Sequence, residues 1–454
     1  MKKILSTLAL CAAASFSFTS CDFDSISSAL TSSADCAAYE TQYQTDIAQE
    51  GQLNDQIHTT GDFAMAIELN ASAINKLFKK ASQWNYELGI SGVATINLKV
   101  PEIEIGGCRD TAYSHNGTIT LEESNCLSFE LPIEFSVMGQ KLSAAARLGF
   151  PIEAVINKEQ TKTSIVTNLK QAQILDLKAG SSALGGTYSA LIETALKALI
   201  GNDLKTVTLF DIGAWEIGDN KIKMLAGAPK IRDAATKELR TVQFGMYSNI
   251  MFSMSESVHW EDTFPTDAEV GLHIHPDLIR GVLSRMMNEG HIEDEVSLGS
   301  SSSSRGFKVS MANIAKEYPQ NILLDQTSPY YDPNWGNYFT FAFRLWSTDT
   351  FCGYMDVLAG LNIEISDQKF QIGVGNIHAG KTAGAWNLVG ALLNTIIETP
   401  FFQHVLDYAT ISFNFNEFAL SGDPNDKAQM DAKHVEFKVD GTGVNLYLNF
   451  LNLD

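Results

Sequence analysis

The stretches AMAIELNASAINKLFKKA (64–81) and EVGLHIHPDLIRGVLSRM (269–286) carry one pattern twice, 205 residues apart. Ala64, Ile67, Leu69, Asn70, Ala73, Ile74, Leu77, Phe78 and Ala81 stand where Glu269, Leu272, Ile274, His275, Leu278, Ile279, Val282, Leu283 and Met286 stand in the second copy. Each reads as a short strand of alternating apolar residues, a polar helix cap at Asn70 or His275, and an amphipathic helix. Self-similarity at a long, fixed offset is the mark of a duplicated unit.

A looser correspondence extends the repeat. Tyr188, Leu191, Ile192, Ala195, Leu196, Leu199 and Ile200 form a helical stripe, followed by the strand-like Lys205–Phe210. Trp386, Val389, Leu392, Leu393, Ile396 and Ile397 form another, followed by the alternating Ile411, Phe413 and Phe415. Each half therefore opens with a strand and helix, crosses a long β-rich stretch, and closes with a helix and strand.

That β-rich stretch has its own signature. Leu127, Phe129, Leu131, Ile133, Phe135 and Val137 are apolar at every second position, with Ser128, Glu130, Glu134 and Ser136 between them. Phe339–Leu345, Leu361–Ile365 and Val444–Phe450 repeat the theme. Such alternation predicts antiparallel sheets with one wet face. Around Pro101 the apolar set moves from Ala94, Ile96, Leu98 and Val100 to Ile103 and Ile105, a one-residue slip that predicts a bulge or bend.

The order of these elements, with the segments GLHIHPDLIRGVLSRMMNEG, EYPQNILLD, NLVGALLNTIIETPFFQHVL and VEFKVDGTGVNLYLNFL, resembles the two-domain tubular lipid-binding family. That family includes the bactericidal/permeability-increasing protein and lipid-transfer proteins. The resemblance covers about Asp62 to Asp454 and lies in order, length and hydrophobic pattern. It implies an α+β fold of two tandem elongated domains, each a bent antiparallel β-sheet wrapped around two amphipathic helices. The domains are expected at 61–235 and 236–454, with the boundary near Pro229 and the charged run Lys230–Arg240. The closing strand Val444–Phe450 is expected in a shared central sheet.

The helical stripes have two readings. Ile74, Leu77, Phe78, Leu191, Ile192 and Leu196 in the first half, and Val282, Leu283, Met286, Leu392, Leu393 and Ile396 in the second, are either plain core or the walls of slots for an apolar ligand. The resemblance implies the slots, and with them a lipid or other apolar small molecule as partner.

At the N-terminus a basic Met1-Lys2-Lys3 precedes an apolar run, Ile4–Phe18, and then Thr19-Ser20-Cys21. This resembles a bacterial lipoprotein signal: residues 1–20 removed and Cys21 lipidated. Residues 21–60 read as a tether. The expected place is the cell envelope, on the outer membrane, facing the periplasm or the cell surface, with the lipid anchor as the membrane contact. Export permits disulfides among Cys36, Cys108, Cys126 and Cys352; Cys108 and Cys126 flank a hairpin-like segment and can pair across it.

Composition narrows the partners. The chain has 32 basic and 53 acidic side chains, a net charge of −21. That balance disfavours nucleic acid and anionic membrane surfaces. The bactericidal relative's cationic tip has no counterpart here, so neutral lipid tails are the better ligand class. No nucleophile elbow, paired-histidine zinc motif or phosphate-binding glycine loop is present, so the expectation is no enzyme, no cofactor and no metal. His273 falls on the expected solvent face of its strand, and His275 at the helix cap. The alternative reading is a β-rich surface lipoprotein that binds protein or glycan without a slot, its best contact being Tyr330, Tyr331, Trp335 and Tyr338.

Overall fold

The computed structural model describes residues 36–49, 51–59, 63–81, 86–90, 94–98, 102–106, 108, 111–114, 117–120, 126–137, 140–168, 171–179, 194, 206–217, 222–233, 240–251, 264–289, 295–298, 305–311, 317–318, 322, 325–331, 333, 339–348, 352–366, 369–384, 417–420, 425–437 and 443–453. The two repeated units lie side by side at its centre. The first strand, β1 (Met65–Asn70), pairs antiparallel with the second copy's strand Val270–Ile274, through Met65↔Ile274, Ile67↔Leu272 and Leu69↔Val270. Ile67 and Leu272 occupy matching positions in the repeat, so a local pseudo-two-fold axis passes between them. The hydrogen bonds beyond the strand ends obey it: Asn70 N–H donates to the Glu269 carbonyl (3.1 Å), and His275 N–H to that of Ala64 (2.8 Å).

The whole central sheet follows this axis. Its other strands are β2 (Trp215–Ile217), β3 (Ile222–Asp233), β4 (Arg240–Ser248), β5 (Val270–Ile274), β6 (Glu417–Ala419), β7 (Lys427–Phe437) and β8 (Val444–Phe450). The order is β2-β3-β4-β1-β5-β8-β7-β6. The closing strand β8 does return to this shared sheet, against β5. Pro229 and residues 230–233 lie in β3, at and beyond a register shift in its pairing with β4.

Each central strand leads into a helix. Helix α2 (Ala71–Ala81) follows β1, and α3 (Pro276–Asn288) follows β5. The caps are the two residues that the repeat aligns. Asn70 Oδ1 accepts from Ala73 N–H at 2.9 Å, and His275 Nδ1 accepts from Asp277 N–H at 3.1 Å. Each satisfies a backbone donor that a helix start leaves open.

Two further sheets extend from this centre. In the N-terminal half, strands Thr206–Gly213, Lys162–Asn168, Gln140–Ile156, Cys126–Val137, Ala94–Leu98 and Tyr86–Ile90 lie in that order, with Gln173–Ala179 and Glu102–Ile105 attached. In the C-terminal half, Glu295–Leu298, Arg305–Ser310, Phe339–Ser347, Gly353–Ser366 and Lys369–Gly384 form a meander. The slip at Pro101 is visible in the ladder. Leu98 pairs with Ile133 but Glu102 with Glu130, so the register differs by one between the two described stretches. Beyond it Ile103 and Ile105 point inward while Glu102 and Glu104 stay exposed.

The expected α+β pair of domains, each a sheet wrapped around two helices, does not hold. The described chain is mostly strand with three short helices, in curled antiparallel sheets. At the centre β1 and β5 pair with each other, so both halves share one sheet and one continuous core. The third helix, α1 (Cys36–Gln49), lies within the segment expected as tether. The helical stripes at 188–200 and 386–397 fall outside the described residues, except Thr194. The expected wet face is also absent at the centre. β1 and β5 are buried at every position, and His273, expected in solvent, is 0% exposed. An interior strand covered on both faces has no solvent side for it.

Helix α1 packs on the outer face of the C-terminal sheet. Among its described residues only Tyr43 is buried, edge-on to Trp346 at 6.3 Å. A Cys36–Cys352 disulfide ties its start. Lys308 pairs with Glu40 at 2.7 Å, and the Lys308 hydrogen bond leads the contacts that hold the Glu40 carboxyl at about 2 rather than 4.5. A depressed carboxyl contributes fully above its unfolded value and is lost as pH falls through its folded value. Two outcomes follow. Amide protection in residues 37–48, corrected for the intrinsic slowing of exchange in acid, should fall as pH drops from about 4.5 toward 2, by less than the full Glu40 shift because solvent screens the exposed pair. It should fall further in Cys352→Ser, since a disulfide closing so long a loop is worth up to about 5 kcal/mol. Unchanged protection in both cases would show α1 to be held by packing alone.

Candidate functional site

The two helices present apolar faces to different sheets. In α2 the buried residues Ala73, Ile74, Leu77 and Phe78 recur at helical spacing. The helix contacts strands Thr206–Gly213 and Glu102–Ile105 of the N-terminal sheet, and β1. Asn75 fixes its position. Its Oδ1 accepts from Ile103 N–H at 2.7 Å, and its Nδ2 donates to the Ile103 carbonyl at 2.9 Å. That amide takes up the backbone groups an edge strand would otherwise leave open.

In α3 the apolar face is Leu278, Val282, Leu283 and Met287, and the helix contacts strand Phe339–Ser347 of the C-terminal sheet. Asp277 and Arg280 are also buried, with Arg280 Nε 3.6 Å from Asp277 Oδ1. Arg280 Nη1 donates to the Met311 carbonyl at 3.0 Å, joining the helix to the end of strand Arg305–Ser310.

Of the proposed slot residues, Ile74, Leu77, Phe78, Val282 and Leu283 lie 0–3% exposed within the shared core, and Met286 packs half-buried against it. Leu191, Ile192, Leu196, Leu392, Leu393 and Ile396 lie outside the described residues, as does Cys21. Methionines Met65, Met224, Met246, Met287, Met311, Met355 and Met430 add soft, adaptable surface to that core. One small cavity, of about 10 Å³, lies where α1 and α3 meet, between Asp46, Ile47, Ser284, Met287, Ser310 and Met311. It has room for one water and none for an acyl chain. The Ser284 hydroxyl beside it is buried with no partner among the described residues.

The outer face of the C-terminal sheet is polar and aromatic. Arg344 makes two hydrogen bonds to Asp356, at 2.6 and 3.1 Å, and lies 3.9 Å above the Tyr354 ring. The Tyr318 hydroxyl donates to Asp356 at 2.9 Å. Burial first, and then the Asp356 charge, push that phenol well above its usual range. Tyr330 packs edge-on to Tyr318 at 5.8 Å, whereas Tyr331 is 40% exposed. Trp335 and Tyr338 lie outside the described residues.

The cysteines pair as Cys108–Cys126 and Cys36–Cys352. The first closes over the hairpin Thr111–Ser114 with Gly117–Thr120. The second links positions 316 apart, and no local spacing announces it. No group of three or more His, Cys, Asp or Glu side chains suited to a metal occurs among the described residues. No described helix is long and apolar enough to cross a membrane.

The sequence reading also missed a polar row across the central sheet. Glu68 of β1 and His273 of β5 are both 0% exposed, with Oε2 and Nε2 2.8 Å apart. On the Glu68 side, Thr241 and Gln243 of β4 donate to Oε1. On the His273 side, Nδ1 lies 2.7 Å from Asn445 Oδ1 of β8. The Tyr447 ring stands edge-on to the imidazole at 6.1 Å. Glu68 and His273 occupy the same position of the repeat, and that was the one available signal.

No family model matches the chain, and no curated protein does. Among solved structures, it is similar to P47 of Clostridium botulinum E1, at 11% identity and a TM-score of 0.38 over 86% of this chain and 99% of that one. It is also similar to a lipopolysaccharide binding protein, at 9% identity and a TM-score of 0.28 over 87% and 100% of the two chains.

Proposed function

We propose that this protein is an exported lipoprotein of the cell envelope that holds or ferries a lipid or similar apolar molecule, with no catalytic role. The observation that carries the reading is the paired helices: α2 and α3 each press an apolar face against a different curled sheet. The sequence supplies a second apolar stripe for each half, 188–200 and 386–397, with Leu191, Ile192, Leu196, Leu392, Leu393 and Ile396 on it. A ligand held between the helical stripes and the sheet of one half is bound by burial. Each methylene removed from water contributes about 0.8 kcal/mol, so an acyl chain needs few polar contacts. That suits a chain of net charge −21, which repels anionic headgroups. Cys21, lipidated, anchors the protein to the outer membrane, on its periplasmic face or at the cell surface.

The test is Leu196→Trp and Leu393→Trp. In a slot the indole fills ligand space, so stability holds while uptake of a fluorescent fatty-acid probe falls by about tenfold or more. In a solid core, overpacking costs about 1–3 kcal/mol and the unsubstituted protein takes up no probe. That outcome would turn attention to the second reading, a surface protein that binds protein or glycan, which the exposed Tyr331 favours.

A further inference from the structure

The proposed binding of an apolar ligand assigns no part to the buried acid and imidazole at the centre of the sheet. Their placement has a different logic. Glu68 lies directly opposite Gly271, and His273 directly opposite Ala66. Under the pseudo-two-fold relation Glu68 is the mate of His273, and Ala66 the mate of Gly271. Each long polar side chain therefore crosses the axis over a small residue, and the two meet diagonally. The fit is close: a Cβ on Gly271 would meet Phe264 at 3.1 Å, His273 Nε2 at 3.2 Å and Glu68 Cβ at 3.4 Å. The flanking strands repeat the relation, because Glu68 faces Gln243 and His273 faces Asn445, an amide on either side.

A near-symmetric sheet has a competitor. β1 is its own pseudo-partner, so two copies of β1 from different chains can align about the same axis, as can two copies of β5. The apolar residues do little to prevent this, since Ile67 and Leu272 are interchangeable in character. The polar pair does prevent it. β1 on β1 places two Glu68 carboxylates in one desolvated site, and β5 on β5 places two imidazoles there. Two carboxylates sharing a buried site are strongly disfavoured, while an acid and an imidazole are complementary.

We propose that Glu68–His273 is a pairing-specificity device: it makes the two halves of one chain join to each other and excludes self-paired dimers through β1 or β5. Buried polar groups are best attested in such register and partner selection. The pair replaces the self-complementary contact of a true two-fold interface with one that only unlike halves complete.

The test uses the full chain, unfolded and refolded under oxidising conditions, with Ile67→Cys as reporter. β1 on β1 brings two introduced thiols face to face, whereas the native pairing sets the thiol against Leu272. With Glu68 and His273 intact, the reporter chain should refold as a monomer. In Glu68→Gln/His273→Gln, a neutral pair that fits either arrangement, dimers linked through position 67 should rise about tenfold or more, read by light scattering and peptide mass mapping. The exchanged variant, Glu68→His/His273→Glu, should return to monomer. A Gln/Gln chain that folds without the link, or an exchanged chain that links as readily as Gln/Gln, overturns the proposal. Should the Gln/Gln chain aggregate, the exchanged chain decides: an unlinked monomer supports the proposal, and dimer or aggregate overturns it.

Discussion

Glu68→Ala is expected to destabilise the protein by about 3–5 kcal/mol, among the largest losses available to a single substitution. The size follows from what remains. His273 is 0% exposed, and alanine removes the carboxylate 2.8 Å from its Nε2. Thr241 and Gln243 lose the same acceptor, so a cluster of donors is left without its charge partner where water does not reach. Replacing both members with apolar residues, as in Glu68→Leu/His273→Met, should cost far less, because a buried polar pair contributes little beyond an apolar packing of similar volume. The exposed ion pair Arg147–Glu104 sets the scale at the other end: Glu104 is 58% exposed, and Glu104→Ala should lie within about 1 kcal/mol of the parent. Urea midpoints of the four proteins check the order. A Glu68→Ala midpoint near that of Glu104→Ala would mean that the polar row contributes nothing to stability.

Cys21→Ser should move the protein from the membrane fraction to the soluble fraction nearly completely. Outside residues 4–18 the sequence has no uninterrupted apolar run of spanning length, and no described helix is long and apolar enough to cross a bilayer. Its acidic balance gives no electrostatic hold on anionic lipid. Under the proposed lipidation of Cys21, attachment rests on acyl chains, and removing several of them removes nearly all of the membrane affinity. The same extracts, analysed for a diacylglyceryl modification at residue 21, link the change to lipidation. Equal membrane association of Cys21→Ser and parent would defeat the lipoprotein reading.

The legible parts of the fold were those that local rules govern. Period-two alternation marked the strands at 127–137, 339–345 and 444–450, and the slip at Pro101 marked a real change of register. The caps Asn70 and His275 were readable because each precedes an apolar helical stripe. Partner choice was not legible. Nothing local tells β1 that its neighbour is β5 rather than a strand of its own half. His273 was misplaced for the same reason. Alternation assigns a solvent face only when one exists, and a strand inside a sheet covered on both sides has none. The Cys36–Cys352 bridge depends on α1 docking through Glu40, Tyr43 and Asp46, contacts spread over one polar helix with a single buried side chain. The site divides likewise. Helical spacing identified the apolar faces of α2 and α3, but whether a face lines a ligand or a neighbouring side chain depends on the sheet opposite.

The proposed function places an apolar molecule between helix and sheet. Native mass spectrometry of the Cys21→Ser protein, purified without detergent and followed by organic extraction, tests it most directly. The predicted result is a non-covalent mass increment of lipid size on the folded protein, released on unfolding, recovered in the extract, and lost in Leu196→Trp and Leu393→Trp. A folded protein at its bare polypeptide mass, which gains nothing after incubation with neutral phospholipid vesicles, would contradict it.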